Sequence, residues 1–212
     1  MDLRSDAQTL LNGIYAIVNE GEPDPVALTR AILAGGAHLV QYRAKGSIVP
    51  AHAHAIRELT RARKALFILN DEWRAVEAYD ADGVHIGPDD ANLHELAQIR
   101  AALPDRVIGV SCGTEAEARL AHAGGADYIG AGSVYATSSK ADAGPPIGIA
   151  GLYRVACATR LPVAAIGGIT LDSISEVQAT GVAMAAVISA ISAAPNARAA
   201  TAALVRAWNE AK

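Results

Sequence analysis

Short aliphatic runs recur along the chain, each entered through a turn residue and separated from the next by a polar, amphipathic stretch. Eight of them read as strands: Gly13 to Val18, Ala37 to Gln41, Ala65 to Leu69, Val84 to Gly87, Val107 to Val110, Ala126 to Gly132, Pro162 to Ile166 and Val182 to Ser189. They are nearly continuously apolar, as parallel strands buried on both faces are. Gly35-Gly36, Asp82-Gly83, Gly124-Gly125 and Thr180-Gly181 each precede a run, so the rhythm of a stopped helix followed by a strand repeats through the sequence. Helix starts are marked by Asp24 before Pro25, by Asn92 before Leu93 and by the capping box of Thr114 and Glu117, and a last helix is predicted from Asn196 to Lys212. Each run is followed by a helix-like segment. The pattern predicts an α/β chain forming a single-domain (β/α)8 barrel over residues 1–212, with 1–12 as an N-terminal extension. An open doubly wound sheet is the competing arrangement. It usually has fewer strands, and its dinucleotide-binding form needs a G-x-G-x-x-G turn that is absent after the first run.

Composition narrows the picture. With 212 residues and 51% hydrophobic content the chain can bury one large core, and 4% aromatic content suits tight packing of small residues. A formal net charge of -4 argues against nucleic acid as a partner, so an anionic ligand must be held by a few local cations. No apolar stretch is long enough to span a membrane, and the first residues lack the core of a secretion signal; a soluble, cytoplasmic protein is expected. Cys112 and Cys157 have neither metal-ligand nor disulfide-framework spacing and read as small buried fillers in a reducing compartment. Oligomeric state is left open, and a homo-oligomer is compatible with the sequence.

In a barrel the chemistry sits at the carboxyl ends of the strands. The second run ends in Gln41-Tyr42-Arg43-Ala44-Lys45, and alternation puts Gln41, Arg43 and Lys45 on one side, a cationic comb suited to a diphosphate. A solvated strand end is the alternative. Asn70-Asp71 and Gly87-Pro88-Asp89-Asp90 bring carboxylates to the same mouth, where one or two of them with phosphate oxygens would suit Mg2+. Asp71 and Asp90 also sit where helix N-caps would. After the seventh and eighth runs, Gly167-Gly168 and Ile188-Ser189 offer backbone amides and a helix start to a second phosphate. The stretch from Asp127 to Gly148 opens as a strand and then carries Ser133, Thr137, Ser138, Ser139 and Lys140, the hydroxyls and ammonium that a phosphorylated ligand needs. A solvated surface loop would look similar. His85, alone among aliphatics, reads as a hydrogen-bonded core residue, and Tyr42 and Trp73 as packing residues.

The motifs QYRAK, LND, GVHIGPDD, GVS, YIGAGSVYATSSK, AIGGI and VISAI occur in the order and spacing of the thiamine phosphate synthases, and the chain resembles that family from Gly13 to about Ala193. The resemblance implies a (β/α)8 enzyme that joins hydroxymethylpyrimidine diphosphate to a thiazole phosphate with Mg2+, releasing diphosphate. It further implies that Gln41, Arg43, Lys45 and Asn70 hold the pyrimidine diphosphate, that Asp71 and Asp90 bind Mg2+, and that Ser111 and Lys140 line that site. Thr137 and Ser139 would contact the thiazole phosphate, with Gly168, Ile188 and Ser189 completing its pocket. Arg43, Ser111 and Lys140 would carry catalysis. The chain departs from the family at Pro88, Gly113, Ser133 and Ala136, which bears on loop geometry rather than on the implied metal or diphosphate ligands. A thiazole tautomerase shares the barrel but would carry a His base where Ser133 stands; a barrel that binds thiazole phosphate without turnover is the other alternative.

Overall fold

In the computed structural model, which describes residues 3–87, 93–139 and 144–211, the aliphatic runs pair in chain order and the last closes on the first. The strands are β1 (Gly13–Asn19), β2 (Leu39–Arg43), β3 (Leu66–Asn70), β4 (Gly83–Ile86), β5 (Val107–Cys112), β6 (Tyr128–Gly132), β7 (Val163–Ile166) and β8 (Met184–Val187). All pair in parallel, and β1 meets β8 in the register Gly13 to Met184 and Ala16 to Val187. Around them lie α1 (Leu3–Gln8), α2 (Pro25–Ala34), α3 (Pro50–Ala62), α4 (Leu93–Ala102), α5 (Glu115–Ala123), α6 (Gly148–Cys157), α7 (Ile174–Gln178), α8 (Ser189–Ser192) and α9 (Ala197–Glu210). The (β/α)8 barrel is therefore the fold, and the open sheet is excluded by closure. Among the described residues no helix is long and apolar enough to cross a membrane.

Strand alternation sorts the side chains into two cores. Odd positions of β1 and β2, such as Tyr15, Ile17 and Leu39, fill the barrel with Ile68, Val107, Tyr128 and Met184, and Ala7 and Leu11 from the N-terminal segment close its lower end. Even positions, such as Ile14, Ala16, Val40 and Tyr42, form the larger outer core beneath the helices, with Phe67, Ile56, Leu152 and Trp208. Phe67 is fully buried there. Truncating it to Ala would cost about 3–5 kcal/mol through lost transfer energy and an unfilled cavity.

The helix starts follow their sequence signals. The Asp24 carboxylate accepts from the Ala27 amide at 2.8 Å with Pro25 in the first turn, Thr114 and Glu117 form the capping box, and Asn196 accepts from the Ala199 amide at 3.0 Å. Asn92 lies outside the described residues.

Two expectations change. After β3 the chain makes a 3-10 turn, Trp73–Ala75, rather than an α-helix. Asp71 and Asp80 take left-handed backbone conformations (φ 61 and 48), and Val76, buried in the outer core, anchors the short path back to β4. Cys157 is exposed on the last turn of α6, whereas Cys112 is buried as expected. The helix period decides this, since Gly151, Leu152 and Val155 take the buried face of α6.

Candidate active site

Two adjoining cavities open among the carboxyl ends of the strands. The larger, about 280 Å³, is walled by the ends of β5 to β8, and the smaller, about 100 Å³, lies over β1 to β4. Ser111, Gly130, Ile166, Ala186 and Ile188 belong to both, so the cavities are two halves of one site.

Gln41, Arg43, Asn70, Asp71 and Ser111 line the smaller half. β2 points Gln41 and Arg43 inward, while Tyr42 and Ala44 enter the outer core, as alternation predicts. Arg43 donates from Nη1 to Asn19 Oδ1 at 3.2 Å, which steadies the guanidinium at the rim. Behind it Glu20 accepts from the Tyr42 hydroxyl and lies 2.9 Å from His52 Nδ1, bracing the loop after β1 against β2 and α3. The comb is shorter than expected. Lys45 lies two residues beyond the end of β2, in a bend leading to α3, where it is exposed to solvent and lines neither cavity. Alternation stops where pairing stops.

Asp71 sits at the tip of β3. Its Oδ1 accepts the Gly87 backbone amide at 3.1 Å, and its Oδ2 accepts from the Asn70 side-chain Nδ2. That places a hard oxygen donor beside Arg43, the donor type that Mg2+ takes. Asp90, the second predicted carboxylate, lies outside the described residues. Among the described residues no three His, Cys, Asp or Glu side chains gather into a cluster.

Thr137, Ser139, Gly168, Ile188 and Ser189 line the larger half, again with Ser111. The loop after β6 is built onto β7: the Val134 amide donates to Ile166 O at 2.8 Å and the Tyr135 amide to Gly167 O at 3.0 Å. Gly167 and Gly168 hold φ of 102 and 65, and a Cβ on Gly167 would fall 2.1 Å from Ser133 Oγ. Only glycine lets this loop lie so close. The far end returns to the same place, with the Ile147 amide on Ser133 O at 2.8 Å and the Gly148 amide on Val134 O at 3.1 Å. Lys140 lies outside the described residues. The Tyr135 hydroxyl donates to Glu176 at 2.8 Å, and burial followed by that carboxylate raises the phenol to about 12. The short helix α8 starts at Ser189, in keeping with the small extra helix that barrels of this kind set beside a phosphate. Cys112 also faces this half; burial, then Glu117, pushes its thiol up to about 12, which leaves it protonated and unreactive near neutrality.

The sequence did not point to Tyr15 and Tyr128, which pack inside the barrel under the site. His85 is hydrogen-bonded as expected, to Tyr128 Oη at 3.1 Å and Ser111 Oγ at 3.0 Å, and it also lines the smaller half. The overlooked signal lay in the strand glycines Gly109 and Gly130. A Cβ on Gly109 would sit 2.1 Å from the Tyr128 ring, and one on Gly130 would sit 3.0 Å from His85.

Residues 14–191 match the family model described as thiamine monophosphate synthase. A thiamine-phosphate synthase of Moorella thermoacetica is 43% identical over 84% of this chain and 87% of its own length. One from Chlorobium phaeovibrioides is 42% identical over 93% of this chain and 95% of its own. Among solved structures, a thiamine phosphate pyrophosphorylase from Pyrococcus furiosus superposes with a TM-score of 0.88 at 36% identity, covering 97% of this chain and 98% of that one.

Proposed function

The chain belongs to the thiamine monophosphate synthase family, and from this premise we propose that it joins hydroxymethylpyrimidine diphosphate to thiazole phosphate, forming thiamine phosphate and diphosphate. It is in this reading a transferase of two small-molecule substrates. The observation that carries it is the divided cavity: a guanidinium and a carboxylate in one half, hydroxyls and glycine amides in the other, and Ser111 at the junction.

The chemistry asks for charge stabilisation more than for a nucleophile. The bond from the pyrimidine methylene carbon to the diphosphate oxygen breaks, and the electron pair leaves with the diphosphate. The thiazole nitrogen then supplies the pair that closes the new carbon–nitrogen bond. Arg43 binds the departing oxygens bidentately, and its pre-set position against Asn19 removes reorganisation at that moment. Lys45 and Lys140, assigned from the sequence, would add positive charge against the departing diphosphate. Thr137, Ser139 and the Gly168 backbone hold the thiazole phosphate so that its ring nitrogen faces the junction. Asp71, with Asp90 assigned from the sequence, would hold Mg2+. When bound, that cation neutralises diphosphate charge. Ser133 is spent internally, donating to Tyr135 O at 2.5 Å, which argues against an aromatising enzyme that needs a base there. A cytoplasmic setting suits such substrates.

The test mixes purified protein with both substrates and Mg2+. Equal yields of thiamine phosphate and diphosphate, lost on chelation and regained with added Mg2+, support the reading. If both substrates bind and neither product forms, the protein is a binding barrel and the reading fails.

A further inference from the structure

A chain of side-chain hydrogen bonds crosses the barrel beneath the smaller cavity and joins two walls of the site. Gln41 Nε2 donates to Tyr15 Oη at 2.6 Å, Tyr15 Oη lies 2.8 Å from Tyr128 Oη, Tyr128 Oη lies 3.1 Å from His85 Nδ1, and His85 Nε2 lies 3.0 Å from Ser111 Oγ. The five residues come from β2, β1, β6, β4 and β5. Gln41, Tyr15 and Tyr128 are buried and His85 nearly so, where an unpaired polar group is expensive.

The barrel is shaped to hold this chain. Register places Gly109 of β5 between His85 and Tyr128, and the absence of a side chain there lets the phenol reach the imidazole. Gly130, beside Ser111, makes the same room for the His85 ring.

One order of donors gives every proton of the chain an acceptor. With the Gln41 amide nitrogen donating to Tyr15, Tyr15 donates to Tyr128 and Tyr128 to His85 Nδ1, and a neutral His85 carrying its proton on Nε2 donates to Ser111 Oγ. Burial raises both phenols above their ordinary value, so each keeps the proton this order requires. At the two ends the result is opposite in sense: Gln41, which lines the smaller cavity, keeps its carbonyl oxygen as an acceptor, and Ser111, which lines it too, keeps a hydroxyl proton to donate.

We propose that Tyr15, Tyr128 and His85 are positioning residues that set the hydrogen-bonding sense of Gln41 and Ser111, so that the smaller cavity presents an acceptor from β2 and a donor from β5 and selects a heterocycle that carries both a donor and an acceptor. The amino group and ring nitrogens of an aminopyrimidine supply that pair, and in this respect the inference rests on the proposed function. Reversing the chain would invert both ends and reject that ring.

The experiment has two readouts on the same variants. In ligand-free protein, ¹⁵N NMR of His85, assigned by its loss in His85→Asn, should show a neutral ring protonated at Nε2. In Tyr128→Phe the Nδ1 resonance should shift to the value of a nitrogen without a donor. In turnover, Tyr128→Phe and Tyr15→Phe should raise KM for the pyrimidine diphosphate about three- to tenfold, the worth of one hydrogen bond, with KM for thiazole phosphate within about twofold. The effect of Tyr128→Phe should shrink in a Ser111→Ala background. A ring protonated at Nδ1, or equal rises in both KM values, would overturn the inference. Absence of turnover in the unmodified protein would instead defeat the proposed function, and the NMR result would still decide the direction of the chain.

Discussion

The two ends of the barrel use the same types of ionic side chain, aspartate and arginine, to opposite effect. At the amino ends of the strands Asp82 and Asp127, each just before a strand, do matching work. Asp82 accepts the Phe67 amide at 2.8 Å and pairs with Arg57 at 2.9 Å; Asp127 accepts the Ile108 amide at 2.9 Å and pairs with Arg100 at 2.5 Å and Arg4 at 2.6 Å. These carboxylates tie neighbouring strands to each other and to helices. At the carboxyl ends, among the described residues, Arg43 donates to the neutral Asn19, and Asp71 accepts a backbone amide and a carboxamide. A charge saturated by the fold is structural, and one held in place but only partly neutralised is available to a ligand.

The comparison is broken most severely by Asp127→Ala. It leaves Arg100 and Arg4 without their buried partner, and a loss of about 3–5 kcal/mol is expected in urea unfolding, with turnover per folded molecule unchanged. Next comes Arg43→Ala, which should lower turnover about a hundredfold or more while the unfolding midpoint stays in place. Activity and stability therefore separate at opposite ends of one barrel. Equal losses of both in either variant would erase the distinction.

Gly167→Ala tests the carboxyl end by geometry. Its left-handed backbone and the approach of Ser133 make a side chain costly, about 1–3 kcal/mol, and the KM for thiazole phosphate should rise more than that for the diphosphate. The smallest effect is a pH dependence at the amino end. Burial would raise the Asp80 carboxyl, but Arg57, Arg106 and Arg61 together hold it below its ordinary value. A lowered folded value means that its stabilisation is present above about pH 4 and is lost as the pH falls through the folded value. Asp80→Asn should flatten that acid limb by less than about 1 kcal/mol, since Asp80 is half exposed. Asp82, raised by burial, acts in the opposite sense, and its contribution is lost as the pH rises through its folded value.

Much of this was legible in the chain itself. The βα rhythm, the caps at Asp24, Thr114 and Asn196, and the inward face of Gln41 and Arg43 all rest on local periodicity and backbone chemistry, which act within a few residues. Tertiary structure alone decided the rest. Where β2 stops pairing removed Lys45 from the cavity wall, and helix phase left Cys157 exposed. Barrel closure brought Tyr15, Gln41, His85, Ser111 and Tyr128 together from five strands far apart in sequence. Alternation says which side chains point inward, but which of them meet depends on the stagger between strands, a property of the closed sheet that no single segment carries.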